Sequence, residues 1–213
     1  LETLLDNVDE INPRWSRALQ QMQQQGSRMQ TLLNDLLLLA KLEATDYPSD
    51  NHPVGVQSLL QTIKNDAQAL SGERGQQISL EADPQVLLKG SEGELRSAFS
   101  NLVFNAVKYT QDKGTIRIRW WADEQGAHLS VQDSGIGIDA KHLPRLTERF
   151  YRVDSSRNSN TGGTGLGLAI VKHVLLRHRA RLEISSVLGH GSTFTCHFPP
   201  AQVTRSRLVG NDE

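Results

Sequence analysis

The sequence predicts an α+β fold, a two-layer α/β sandwich preceded by a helical hairpin. Three observations carry this. Residues 13–44 hold an apolar heptad: Trp15, Met22, Met29 and Leu36 recur every seven positions, beside Leu19, Gly26, Leu33 and Ala40. Segments of strict alternation, such as Thr115-Ile-Arg-Ile-Arg-Trp-Trp121, read as strands with one buried face. Helical stripes at 3.6-residue spacing, such as Leu102, Val103, Ala106 and Val107, are interspersed with them.

The elements follow in order. Leu1, Leu4, Leu5, Val8 and Ile11 form an amphipathic stripe that is helical from the first residue. Pro13 suits the first position of a second helix, so the two make an αα-hairpin, half of a four-helix bundle. Residues 46–56, rich in Pro, Asp and Asn, read as a linker. A helix over 57–71 and strands near 76–82 and 85–89 come next. The following helix starts near Ser91, whose hydroxyl fits a capping box with Glu94. Gly114 leads into the strand at 115–121, and a hairpin at Gly126 leads to a strand ending at Asp133. A helix opens near Leu166, and strands near 181–187 and 193–198 are joined at Gly189-His-Gly191. Residues 154–163 read as a loop placed as a lid would be. The chain divides into a helical hairpin (1–45), a linker (46–56), a sandwich domain (57–199) and a polar, frayed tail (200–213).

Bulk properties exclude several classes. Hydrophobic residues are 37%, charged residues 22% and the net charge −1, so neither nucleic acid nor an anionic membrane is indicated as a partner. One cysteine, Cys196, excludes internal disulfides and cysteine-based zinc clusters, and reads as a small hydrophobe inside a strand. No apolar run approaches the roughly 20 residues that span a bilayer. The seven histidines form no His-x-x-x-His pair, which argues against a zinc site. No P-loop motif occurs, and the glycines near 163 follow a polar loop in place of a strand, which argues against a dinucleotide fingerprint.

Three segments carry the chemistry. In Asn101-Leu-Val-Phe-Asn105-Ala-Val-Lys108-Tyr109-Thr110, the two asparagines share the polar face of a helix, with Lys108 and Tyr109 one turn on. Two amide oxygens, an ammonium and an aromatic ring suit a cation, a phosphate and a flat base. Asp133 ends a strand and runs into Gly135 and Gly137, which let a backbone approach a ligand closely. Gly163, Gly165, Leu166, Gly167 and Leu168 open a helix whose N-terminal N–H groups can hold an anion. Together they make a purine-nucleotide site.

At these residues the chain resembles the ATP-binding half of bacterial sensor histidine kinases. The N box falls at 101–110, the G1 box at 133–137, the F box at Glu148-Arg-Phe-Tyr-Arg152 and the G2 box at 163–168. The run Leu146-Thr-Glu-Arg-Phe-Tyr-Arg-Val-Asp154 and the sequence after Thr161 are most similar to the kinases of phosphate-starvation signalling. The resemblance implies the sandwich shared with gyrase and Hsp90-type ATPases. It also implies that Asp133 reads the adenine amine from a solvent-facing cleft, that Tyr109 stacks on the base, and that Asn105 and Asn101 hold Mg²⁺. Lys108, Arg152 and Arg157 match positions that neutralise phosphates. A response regulator and a homodimer formed through the hairpin are the implied partners. The implied location is the cytoplasmic side of an inner-membrane protein.

Two departures matter. The family's phospho-accepting histidine and its acidic neighbour form an H box that occurs nowhere here, so Leu1 reads as a cut end just downstream of it. Hydrolases of this fold place a Glu four residues before the metal-binding Asn; here that position is Asn101, which cannot accept a proton. Phosphate transfer to a protein is thus the expected chemistry. A non-catalytic ATP-sensing module and an ATP hydrolase are the alternatives.

Overall fold

The computed structural model describes residues 13–44, 51–153 and 163–206. The expected helix at 1–11, the linker's first residues, the 154–162 loop with Arg157 and the end of the tail lie outside the described residues. The heptad segment forms one helix, α1 (Pro13–Glu43). Its stripe does not stay alike along its length: Trp15, Met22, Met29, Leu33 and Leu36 are exposed, whereas Leu39 and Leu42 are buried. Leu32 and Leu38 also pack against the core, so the C-terminal part of α1 rests on the domain that follows it.

That domain runs β1 (His52–Gly55), α2 (Val56–Ser71), β2 (Gln77–Ala82), β3 (Val86–Gly90), α3 (Glu92–Tyr109), β4 (Thr115–Asp123), β5 (Gly126–Asp133), α4 (Gly167–Arg177), β6 (Arg181–Val187), β7 (Gly191–Phe198) and β8 (Val203–Arg205). A five-stranded sheet has the order β2-β4-β5-β7-β6. Its β2–β4 pair is parallel and the other pairs antiparallel. A smaller antiparallel sheet has the order β1-β3-β8.

Alternation along β4 turns Ile116, Ile118 and Trp120 inward and Thr115, Arg117 and Arg119 outward. The inward face meets the buried residues of the helices, including Leu60 and Ile63 of α2, Phe99 and Val103 of α3, and Ile170 and Val174 of α4. This is the expected two-layer sandwich. Phe198 packs edge-to-face on both Phe99 and Trp120. The Trp120 indole N–H donates to Val86 O at 3.1 Å and ties the two sheets together. Cys196 is buried in β7, and burial pushes its thiol up to about 12. No helix among the described residues is long and apolar enough to cross a membrane.

Three local expectations are corrected. Residues 52–56, read as linker, form β1 and the first residue of α2, because Pro53 lies on an edge strand paired only to β3. The tail is not frayed throughout: Val203–Arg205 adds a third strand to β3. Ser91 is the N-cap of α3, yet its hydroxyl makes no capping bond. Glu94 instead turns inward to Arg177 of α4, with Nε–Oε2 at 3.0 Å and Nη2–Oε1 at 2.9 Å. A buried guanidinium needs a paired carboxylate more than an exposed helix end needs its cap.

Candidate functional site

The polar face of α3 opens into a cleft of about 790 Å³. Asn101, Asn105, Lys108, Tyr109, Asp133, Gly137, Arg152, Gly163, Gly165, Gly167 and Leu168 all line it. Four segments separate in sequence therefore meet at one place. Of the remaining expected residues, Gly135 and Leu166 stand behind the wall, and Arg157 lies outside the described residues.

At one end, β5 delivers Asp133. Asp133 lines the cleft with little of its surface open to solvent. Burial raises its pKa above the ordinary carboxylate value, opposed by the backbone N–H groups of Gly135 and Ser192. The Gly135 bond, to Oδ1, is 2.8 Å. A carboxylate has about four lone-pair positions, so capacity remains for a ligand donor. Gly135 is packed so closely that a Cβ there would meet Tyr109 O at 2.4 Å. The N–H of Ile136 donates to the same carbonyl at 3.2 Å, lacing this turn to the end of α3. Tyr109 itself stands half exposed at the cleft, with the Lys108 ammonium 5.1 Å from its ring centre.

At the other end, Gly167 and Leu168 bring the N-terminus of α4 to the cleft, where the helix dipole favours an anion. Lys108 reaches this end: a Cβ on Gly163 would meet its Nζ at 2.5 Å. Burial, with Arg152 and Arg28 near, holds the Lys108 ammonium below its ordinary pKa. Between the two ends stand the asparagines. Asn101 Nδ2 donates to Ser97 O at 2.9 Å, which orients Oδ1 toward Gly167. A Cβ at 167 would meet that oxygen at 2.3 Å, so only glycine fits there without displacement.

Several lining residues are invisible to sequence reasoning. Thr31 and Asp35 come from α1 and close one side of the cleft. The hydroxyl of Thr164 donates to Asp35 Oδ2 at 2.9 Å, and burial raises the Asp35 pKa against that bond. Tyr151, beside Arg152, is hydrogen-bonded to His142 at 2.7 Å and lies under the Arg145 guanidinium at 4.2 Å. Further along α1, Glu43 pairs with Arg149 and with His173, and Arg177 donates to Leu42 O at 3.2 Å. No signal in the sequence links these residues, because the pairs lie on separate elements.

Comparison with known proteins agrees with this architecture. Residues 90–202 match the family described as histidine kinase-, DNA gyrase B-, and HSP90-like ATPase. The chain is 81% identical over 206 residues to the phosphate regulon sensor protein PhoR of Pseudomonas aeruginosa, covering 97% of this chain and 46% of that protein. It is 41% identical over 199 residues to PhoR of Haemophilus influenzae, covering 93% and 46%. The chain thus spans about half the length of the curated relatives it matches. Among solved structures, full-length ShkA in complex with AMPPNP superimposes with a TM-score of 0.77 at 26% identity, covering 96% of this chain and 42% of that one.

Proposed function

Because the chain belongs to the histidine kinase-, DNA gyrase B- and HSP90-like ATPase family, we propose that its cleft binds ATP with Mg²⁺ for phosphate transfer to a protein histidine. The family match and the 81% identical relative support a phosphate-regulon sensor kinase as the parent. In this reading Asp133 accepts the exocyclic amine of adenine and rejects guanine, whose carbonyl would face the carboxylate. Tyr109 covers the base. Lys108, Arg152, Arg157 and the α4 N-terminus hold the phosphates.

The cation fits the donor set as one carried by the nucleotide. Among the described residues no group of three or more His, Cys, Asp or Glu side chains could hold a metal. Asn105 and Asn101 would supply oxygens to Mg²⁺, with phosphate and water completing its shell. Bound there with the nucleotide, such an ion would supply positive charge against the phosphates. The α3 asparagines would orient it, and no carboxylate of α3 lines the cleft.

Asn101 carries the argument for transfer over hydrolysis. The acidic side chains lining the cleft are Asp35 and Asp133 alone, among the described residues, and neither is on α3. The acceptor histidine, a hairpin homodimer, a response regulator, phosphate-starvation signalling and a membrane-anchored parent belong to the same proposal. So does the division into hairpin (1–45), linker (46–56), catalytic domain (57–199) and tail (200–213), with β1 and β8 attached to the catalytic unit.

Labelled ATP and Mg²⁺, with a separately supplied hairpin bearing an H box, test it. Acid-labile phosphohistidine is expected on the hairpin and on none of the seven histidines of this chain. Steady phosphate release without acceptor would make the chain a hydrolase. Nucleotide binding with neither outcome would make it an ATP-sensing module.

A further inference from the structure

On the outer face of the five-stranded sheet, His128 of β5 and His197 of β7 stand directly opposite each other. They are 69 positions apart in sequence, and their Nδ1 atoms are 2.8 Å apart. His128 is an odd number of residues from Asp133 on the same strand, so it points away from the nucleotide cleft. Each ring is backed by a carboxylate. Nε2 of His128 lies 3.0 Å from Asp123 Oδ1, and Nε2 of His197 lies 3.2 Å from Glu183 Oε2. Trp121 packs on the His128 ring at 5.1 Å, and Arg181 pairs with Glu183 at 3.3 Å.

The protons do not match the contacts. Three contacts join Asp123, His128, His197 and Glu183, and two neutral imidazoles carry only two N–H groups. If His128 donates to Asp123 from Nε2, its Nδ1 must accept from His197 Nδ1–H. The His197 Nε2 then faces the Glu183 carboxylate without a proton, and this buried atom has no hydrogen-bond partner. A cation at the paired Nδ1 atoms removes the mismatch. Both Nδ1 lone pairs then turn to the ion, and a tautomer shift together with a turn of the His197 ring brings each Nε2–H to a carboxylate. Metal-bound histidines are held in this way, the outer N–H fixed by a carboxylate.

We propose that His128 and His197 form a two-histidine site for a divalent transition-metal ion of the Zn²⁺ class, with Asp123 and Glu183 as positioning residues. Imidazole suits such ions, and water fills the positions the protein leaves open. Tetrahedral Zn²⁺ with Zn–N near 2.0–2.1 Å holds two nitrogens about 3.3 Å apart, so the rings must part by roughly 0.5 Å. His197, with 18% of its side chain exposed against 4% for His128, is the ring with room to turn. The site is independent of the nucleotide reading.

Zinc titration of the 213-residue chain by calorimetry, without nucleotide or Mg²⁺, tests the assignment, together with imidazole ¹⁵N NMR. One ion per chain is expected, shifting the ring nitrogens of His128 and His197. His197→Gln should abolish binding, and Asp123→Asn should weaken it about 10- to 100-fold. The exposed His190→Gln should bind as wild type, and excess chelator should release the ion. Should His197→Gln unfold, Asp123→Asn decides, since half of its side chain lies in solvent. Absence of binding at about 100 µM zinc overturns the proposal, as does binding unchanged by these variants. A ring-to-ring Nδ1–H signal that persists at that zinc concentration would identify a hydrogen-bonded pair in place of a metal site.

Discussion

Thr164 donates its hydroxyl proton to Asp35, joining the glycine segment of the nucleotide cleft to α1 across 129 positions of sequence. The bond places a carboxylate beside the cleft's anion-binding end. Helix and cleft are therefore in electrostatic conversation: what favours the docked helix disfavours a phosphate. Asp35→Asn should keep the hydrogen bond through its amide oxygen and remove the charge. ATP should then bind tighter by about 0.2–1 kcal/mol, roughly 1.4- to 5-fold. Calorimetry at two salt concentrations checks this, because the gain should shrink as salt rises.

Asp133→Asn should weaken ATP binding by about 1.5–3 kcal/mol, roughly 10- to 150-fold. The amide oxygen can still accept from Gly135, so the turn is retained. The amide NH₂, however, meets the adenine amine donor to donor. Unchanged affinity in a folded Asp133→Asn protein would remove Asp133 from the base site.

Breaking the buried pair between α3 and α4 should be costly. Side chains of Arg177 and Glu94 are 4% and 7% exposed, so Glu94→Ala leaves a charge in the core. A loss of about 3–5 kcal/mol is expected, read as a lower urea midpoint at constant m-value. A loss under 1 kcal/mol would mean that water or another acid reaches Arg177.

His178 should make stability fall in mild acid. It is fully buried, and its Nε2 accepts from Ser91 N–H at 3.4 Å while Nδ1–H donates to Val174 O at 2.8 Å. That arrangement requires the neutral ring. Burial lowers its folded pKa below 6.5, opposed by the Val174 bond and Glu94, while Arg177 lowers it further. The unfolded chain therefore binds the proton more readily. The contribution is full above pH 6.5 and declines as pH falls from there toward the depressed folded value. Urea midpoints between pH 7.5 and 5 should show this slope, and His178→Gln should flatten it.

The site was legible where its logic is local. The asparagines of α3 share a face by helical spacing, and Gly135, Gly163 and Gly167 sit where a Cβ would collide with the site's own atoms. Asp35 and Thr164 were not legible, since helix periodicity shows which face is apolar and not what it meets. Glu94 shows the same gap. Its spacing from Ser91 fits a cap, but Arg177, 83 positions later, takes the carboxylate. Likewise β8 is too short for alternation to register, and only its pairing with β3 makes it a strand. The histidine pair is hidden for another reason. Strand register, not chain spacing, brings 128 and 197 together.

The strand order β2-β4-β5-β7-β6 sets a timetable for synthesis. The β4–β5 hairpin can close as soon as it leaves the ribosome, because its strands are consecutive. The other edge of β5 waits for β7. At about 5–20 residues per second the intervening stretch 134–190 takes on the order of 3–11 s. Through that interval the outer edge of β5 is a row of unpaired backbone groups, the kind of edge that recruits other strands. A nascent chain stalled between 134 and 190 is thus a client for chaperones, although the finished domain pairs the whole of that edge with β7.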